Sequence, residues 1–183
     1  MTLLTLYDDA EPFAEGETIG DHAAIAAALK PAGVTLERWR AGAELGENPA
    51  DADILAAYAD DIARLTAAGG YRSCDVIRVT PDHPQRRELR AKFLAEHIHD
   101  DDEVRFFVEG AGLFYIRSGG KVHALECTAG DLILLPAGTR HWFDTGERPS
   151  FTAIRLFTTP EGWVARYTGD TIADAIPLYA GAL

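Results

Sequence analysis

Read for its alternation of apolar and polar positions, the chain divides into a mixed stretch and a strand-rich one. Thr2-Leu3-Leu4-Thr5-Leu6-Tyr7 predicts an opening strand, with imperfect alternation. Ile25 and Leu29, four apart in an alanine-rich run, predict a helix over residues 23–28, capped by Asp21 and stopped by Pro31. Residues 34–39 alternate with period two, the strand pattern. From Asn48 to about Thr66, the apolar residues Ile54, Leu55, Tyr58, Ile62 and Leu65 recur at spacings of three and four. That predicts one amphipathic helix, closed by Gly69-Gly70. Residues 83–94 predict another, with Pro84 early and Leu89 and Phe93 on one face.

After Glu96 the pattern changes to short β-rich runs at 103–108, 113–116, 121–126, 131–135 and 151–157. Gly110-Ala111-Gly112, Ser118-Gly119-Gly120, Ala129-Gly130 and Pro136-Ala137-Gly138 punctuate them as turns. Strands of this length and spacing predict an antiparallel sandwich or barrel. No linker, repeat or low-complexity tract interrupts the chain. The expectation is a single domain over 1–183, mainly β with helices (α+β). The helices of a mixed N-terminal part over about 1–95 would pack outside a barrel core over about 96–170.

Composition narrows the function classes. Seventeen Lys+Arg against 29 Asp+Glu give a net charge of −12, which repels nucleic-acid phosphates and anionic membrane surfaces. No apolar run approaches the roughly 18 residues that a bilayer span needs. The apolar residues of MTLLTLYDDAEPF follow no basic segment, so no signal peptide is expected. Cys74 and Cys127 are far apart and sit in no pairing motif, which predicts free thiols in a reducing compartment. A cytoplasmic protein is therefore expected, and its charge is compatible with a monomer.

The candidate chemistry lies in six histidines, His22, His83, His97, His99, His123 and His141. In His97-Ile98-His99 the two imidazoles are two residues apart, so on an extended strand they share a face. Glu103 follows four residues later, and Asp101 has the same parity, so spacing alone leaves the choice of carboxylate open. Imidazole nitrogens with a carboxylate oxygen suit divalent iron, nickel, manganese or zinc. Pro136 and Gly138 predict a tight turn that aims His141 toward the first block. His22, His83 and His123 lie outside both blocks and read as structural or exposed.

Two blocks together, His97-x-His99-x-x-x-Glu103 with Gly110 after it and then Gly130-Asp131 through Pro136-x-Gly138-x-x-His141, match the pattern of the cupin family. The Asn that often follows the second block in that family is replaced by Thr145. The stretch from Lys92 to Val108, which contains Glu96-His97-Ile98-His99-Asp100-Asp101-Asp102-Glu103-Val104-Arg105-Phe106-Phe107-Val108, is more specific. With residues 110–115, 136–144, 155–157 and 162–167 it resembles the acireductone dioxygenases. The resemblance covers roughly residues 85–170. It implies a cupin-type double-stranded β-helix, or jelly-roll barrel, with His97, His99, Glu103 and His141 as ligands of one Fe²⁺ or Ni²⁺ per chain. It also implies oxidative cleavage of 1,2-dihydroxy-3-keto-5-methylthiopentene with O₂ in methionine salvage. The Fe²⁺ form would give 2-keto-4-methylthiobutyrate and formate; the Ni²⁺ form would give methylthiopropionate, formate and CO.

Three neutral imidazoles and one carboxylate leave a divalent ion with net charge about +1. A dianionic enediolate taking two further positions brings the sum to about −1, and Arg105, on the strand face of Glu103, would restore neutrality. Arg105 is the expected catalytic residue. Phe93, Phe107, Phe143 and Trp163 are expected to line a pocket for the methylthio tail, with Arg155 supporting it. Glu96 and Asp102 are expected to hold hydrogen bonds to the ligand imidazoles or to water. Two rival readings are a sugar isomerase or epimerase and a non-catalytic ligand-binding cupin. The aromatic lining disfavours the first, and the lack of a basic recognition helix disfavours a DNA-bound form of the second.

Overall fold

The computed structural model describes residues 1–40, 45–46, 49–159 and 163–181. Asn48, the expected start of the long helix, and Gly162, in the family-like tail, lie outside them. In chain order the elements are β1 (Leu3–Asp8), β2 (Glu17–Ile19), α1 (His22–Leu29), β3 (Thr35–Arg38), α2 (Asp51–Ala57) and α3 (Ala59–Gly69). There follow β4 (Ser73–Val79), α4 (Arg86–Leu94), β5 (His97–Ile98), β6 (Glu103–Ser118), β7 (Lys121–Thr128), β8 (Asp131–Leu135), β9 (Arg140–Asp144), β10 (Phe151–Phe157) and β11 (Arg166–Tyr167). Among the described residues, no helix is long and apolar enough to cross a membrane.

The strands form two antiparallel layers joined by β6. Its first half pairs with β8 and β10, and its second half with β7 and β9. β3 extends the first layer beyond β8 and β4 extends it beyond β10. The second layer runs β11-β5-β9-β6-β7-β1-β2. Strands β1, β3 and β4 from the first 95 residues thus belong to the barrel walls. The barrel is of the cupin type.

The Gly110-Ala111-Gly112 turn does not form; β6 runs straight through it. Gly110 instead bends the strand, with φ 72°, and a Cβ there would lie 1.8 Å from the Ser150 carbonyl oxygen. Just before the bend, pairing with β10 slips between Thr152 opposite Glu109 and Ala153 opposite Phe107. This bulge reverses parity: Phe107 before the bend and Phe114 and Ile116 beyond it all join one core cluster. A single strand thereby lines the barrel interior from both of its sheets.

The other face of β6 carries Val104, Phe106 and Val108, buried against Trp39, Ile54, Tyr58 and Leu65. Ile54, Tyr58 and Leu65 belong to the predicted long helix, which is split at Tyr58 (φ −114°, ψ 19°). Tyr58 sets its ring edge-on to Phe106 at 4.9 Å, so packing against the sheet overrides helix continuity there. Helix α1 forms as predicted, with the Asp21 carboxylate accepting from Ala24 N at 2.8 Å. Helix α4 begins at Arg86, two residues after Pro84.

Candidate metal centre

β5 and β9 place His97 directly opposite His141, and β9 in turn sets His141 against Ile116 of β6. His99 follows the end of β5. Its carbonyl accepts from Gly138 N at 2.8 Å, and Ala137 N donates to the Asp102 carboxylate at 2.9 Å. These two bonds tie the Pro136–Gly138 turn to the His97–Glu103 segment, so the two halves of the motif are joined before any ligand arrives. Gly138, with φ 78°, supplies the left-handed residue of that turn.

Ligating atoms of His97, His99 and His141 lie within 4.8 Å of one another, all three side chains buried. Each Nδ1 bonds a backbone carbonyl: Ala95 at 2.7 Å for His97, Val164 at 3.1 Å for His99 and Thr139 at 2.8 Å for His141. A carbonyl can only accept, so each Nδ1 carries the proton and each Nε2 keeps its lone pair. The Glu103 carboxylate oxygen Oε2 sits 3.0 Å from Nε2 of His141 and 3.1 Å from Nε2 of His99. At that distance either a proton on the imidazole or a bound cation lies between each nitrogen and the carboxylate oxygen. Three nitrogens and one carboxylate oxygen form a donor set that fits a borderline divalent cation.

The surroundings act differently on each group. Burial and neighbouring His141 pull the His97 imidazole down to about 4, which keeps it neutral. Burial alone would push the Glu103 carboxyl up, but the Arg105 guanidinium and the two imidazoles hold it well below the usual range. Burial pulls the His99 imidazole down, but the hydrogen bond and charge of Glu103 and the Val164 carbonyl together leave it raised, toward its protonated form.

Arg105 donates Nη2 to Glu103 Oε1 at 3.0 Å and is only 3% exposed. Its Nε and Nη1 are buried with no hydrogen-bond partner among the described residues. The guanidinium carbon lies 4.5 Å from the Phe143 ring centre, 5.1 Å from Phe114 and 5.7 Å from Trp163. Across β10, Arg155 is directly opposite Arg105. Arg155 is neutralised by a bidentate pair with Asp75, at 2.8 and 2.6 Å.

A cavity of about 210 Å³ opens over this cluster. Phe93, Phe143, Arg155 and Trp163 line it, together with the three histidines, Glu103 and Arg105. Phe107, Glu96 and Asp102 do not line it. Phe107 lies in the barrel core against Phe114, Phe143 and Phe151, one layer below the cavity. Glu96 touches no imidazole: its buried carboxylate accepts from Thr168 Oγ1 at 2.7 Å and faces Arg117 at 3.5 Å. Asp102 holds the turn at Ala137 instead, because β6 begins only at Glu103 and the preceding bend swings its side chain away. Asp101, the rival carboxylate, accepts from Thr159. Sequence reading missed Lys92, Ala165 and Tyr167, which also line the cavity. β11, a two-residue strand with both side chains exposed, has no apolar pattern to announce it.

A cupin barrel with three histidines and a carboxylate gathered at one buried point defines the class of non-haem metalloenzymes. A model of the ARD/ARD' family matches residues 4–165. The acireductone dioxygenase of Parvibaculum lavamentivorans is 56% identical over 179 residues, 98% of this chain and 97% of that protein. That of Serratia proteamaculans is 55% identical over 177 residues, 97% of this chain and 98% of that protein. The solved acireductone dioxygenase from Bacillus anthracis, with a cadmium ion in its active centre, has a TM-score of 0.80. It is 33% identical and covers 91% of this chain and 98% of its own. The chain belongs to the ARD/ARD' family. It is a metal-dependent dioxygenase, an oxidoreductase that takes a small-molecule substrate and O₂.

Proposed function

We propose that this chain cleaves 1,2-dihydroxy-3-keto-5-methylthiopentene with O₂, using one Fe²⁺ or Ni²⁺ held by His97, His99, Glu103 and His141, as a step of methionine salvage. The observation that carries the reading is the gathering of three buried imidazoles, two of them with Nε2 against the Glu103 carboxylate, beside a buried arginine with two donors unpaired among the described residues. When bound, the divalent ion supplies Lewis acidity and a template for the enediolate oxygens. Arg105 offers Nε and Nη1 to those oxygens and favours the doubly deprotonated substrate, the electron-rich form that reacts with O₂. Its contact with Glu103 holds the guanidinium in place beforehand, so little reorganisation accompanies binding. Phe93, Phe143 and Trp163 enclose the apolar tail and keep water from the reacting carbons.

Atoms balance in either reaction. Both oxygens of O₂ enter the carbon products, giving 2-keto-4-methylthiobutyrate and formate with iron. With nickel the products are methylthiopropionate, formate and CO. Relatives named acireductone dioxygenase at more than half identity support the substrate assignment. The test is oxygen uptake by metal-free protein reconstituted separately with each ion and given the enediol. Formate with both ions and CO with nickel alone is the expected result. Full metal binding without oxygen uptake would leave an isomerase or a ligand-binding cupin.

A further inference from the structure

The chain carries a charge of −12, yet its proposed substrate is an anion. An enediol conjugated to a ketone is a vinylogous acid, ionised in neutral water, and the bulk of the protein repels it. The nearest chain segment carries Asp100, Asp101 and Asp102 directly after His99, and of these Asp100 is paired with Arg166. The cavity itself is lined by three cationic side chains, Lys92, Arg105 and Arg155, against the single carboxylate Glu103. Two of the three are spoken for: Arg105 pairs with Glu103 and Arg155 with Asp75.

Lys92 differs from both. It is exposed, in the last turn of α4, and enters no ion pair among the described residues. Its backbone carbonyl accepts from the Tyr167 hydroxyl at 3.2 Å, which joins the end of α4 to β11 at the cavity rim. Phe93, the next residue, faces the ring of Phe143 at 6.2 Å on the cavity wall. Lys92 thus joins the cavity lining without an ion-pair partner among the described residues, on a rim fixed from two sides; the nearest acid on its own helix face is Glu88, one turn earlier.

We propose that Lys92 recruits the anionic substrate, drawing it to the mouth and raising the rate of productive encounter without entering the chemical step. This rests on the substrate assigned above. A unit charge at such a position alters the encounter by about 3- to 10-fold at low ionic strength. At 1 M salt, charges are screened beyond about 3 Å and the effect vanishes.

The experiment is kcat/KM of metal-loaded parent, Lys92→Ala, Lys92→Glu and Lys92→Arg across ionic strength, with association followed anaerobically by stopped flow. At about 10 mM salt, Lys92→Ala should lose about 3- to 10-fold in kcat/KM and in association rate, Lys92→Glu about 10- to 50-fold, and Lys92→Arg less than twofold. kcat and metal content should be unchanged in all three, and the curves should converge at 1 M salt. A Lys92→Ala value within twofold of the parent at low salt would overturn the proposal. So would a loss that persists at 1 M salt, which marks a contact or structural role. A parent that consumes no enediol would instead sink the substrate assignment, and the proposal with it.

Discussion

Glu103 and Arg105, two residues apart on one face of β6, form a 3.0 Å ion pair within the barrel, each only 3% exposed. The pair uses one of the guanidinium nitrogens and leaves Nε and Nη1 buried without partners among the described residues. Arg105→Ala is therefore expected to lower turnover by about 100-fold or more while one metal per chain is retained. Arg105→Lys, which keeps the charge but loses the planar donors, should recover less than a tenth of the activity. Oxygen uptake measured beside metal content checks both; normal turnover by Arg105→Ala would refute the role.

Phe143 reaches the cavity wall because Gly112 has no side chain: a Cβ there would lie 2.3 Å from the tip of the Phe143 ring. Gly112→Ala should cost about 1–3 kcal/mol through overpacking, roughly 2–12 °C in Tm, and should lower kcat/KM by displacing the ring. Gly110→Ala should be worse, since its clash is with backbone and its φ is positive. Thermal unfolding of the two variants tests the order, and a more stable Gly110→Ala would contradict the account of the bend.

Asp144 is fully buried and accepts from Arg90 Nε at 2.7 Å, Arg90 Nη2 at 3.0 Å, Gly146 N at 2.8 Å and Tyr179 N at 2.9 Å. It pins α4 and the C-terminal segment to the end of the strand that carries His141. Arg90→Ala leaves a buried carboxylate without its charged partner, a cost of about 3–5 kcal/mol or roughly 6–20 °C in Tm. The metal stoichiometry should not change. A Tm within about 2 °C of the parent would show that the pair contributes little.

Metal that binds only the folded chain must stabilise it. At a free concentration about 100 times Kd the gain is about 2.7 kcal/mol, roughly 5–10 °C in Tm, reversed by a chelator. His141→Ala should show no such shift in a calorimetric scan.

Much of the site was legible before the fold. Histidines, carboxylate and arginine occupy one continuous segment whose spacing survives any packing, and the Pro136–Gly138 turn announces the return of His141. The helix over α1 and the strands β7, β8 and β10 followed their local patterns. Elements without such a pattern were lost. β4, with six of its seven residues half-buried or exposed, shows no alternation and was not foreseen. Gly110 and Gly112 read as a turn because glycine punctuates loops and permits bends alike; only the close approach of Ser150 and Phe143 separates the two uses. Phe107 shares its strand face with Arg105, but parity fixes the face and not the depth along the barrel. The cavity rim is formed by residues from α4 and β11, joined through Tyr167 across 75 positions of sequence.

The central claim is that His97, His99, Glu103 and His141 hold one divalent ion together. Its most direct test is competitive metal titration of metal-free parent against His97→Ala, His99→Ala, His141→Ala and Glu103→Gln. The account predicts one ion per chain in the parent and an affinity at least about 100-fold weaker in each variant, beyond the range usual for outlying residues. Parental affinity in any one of the three histidine variants would contradict it.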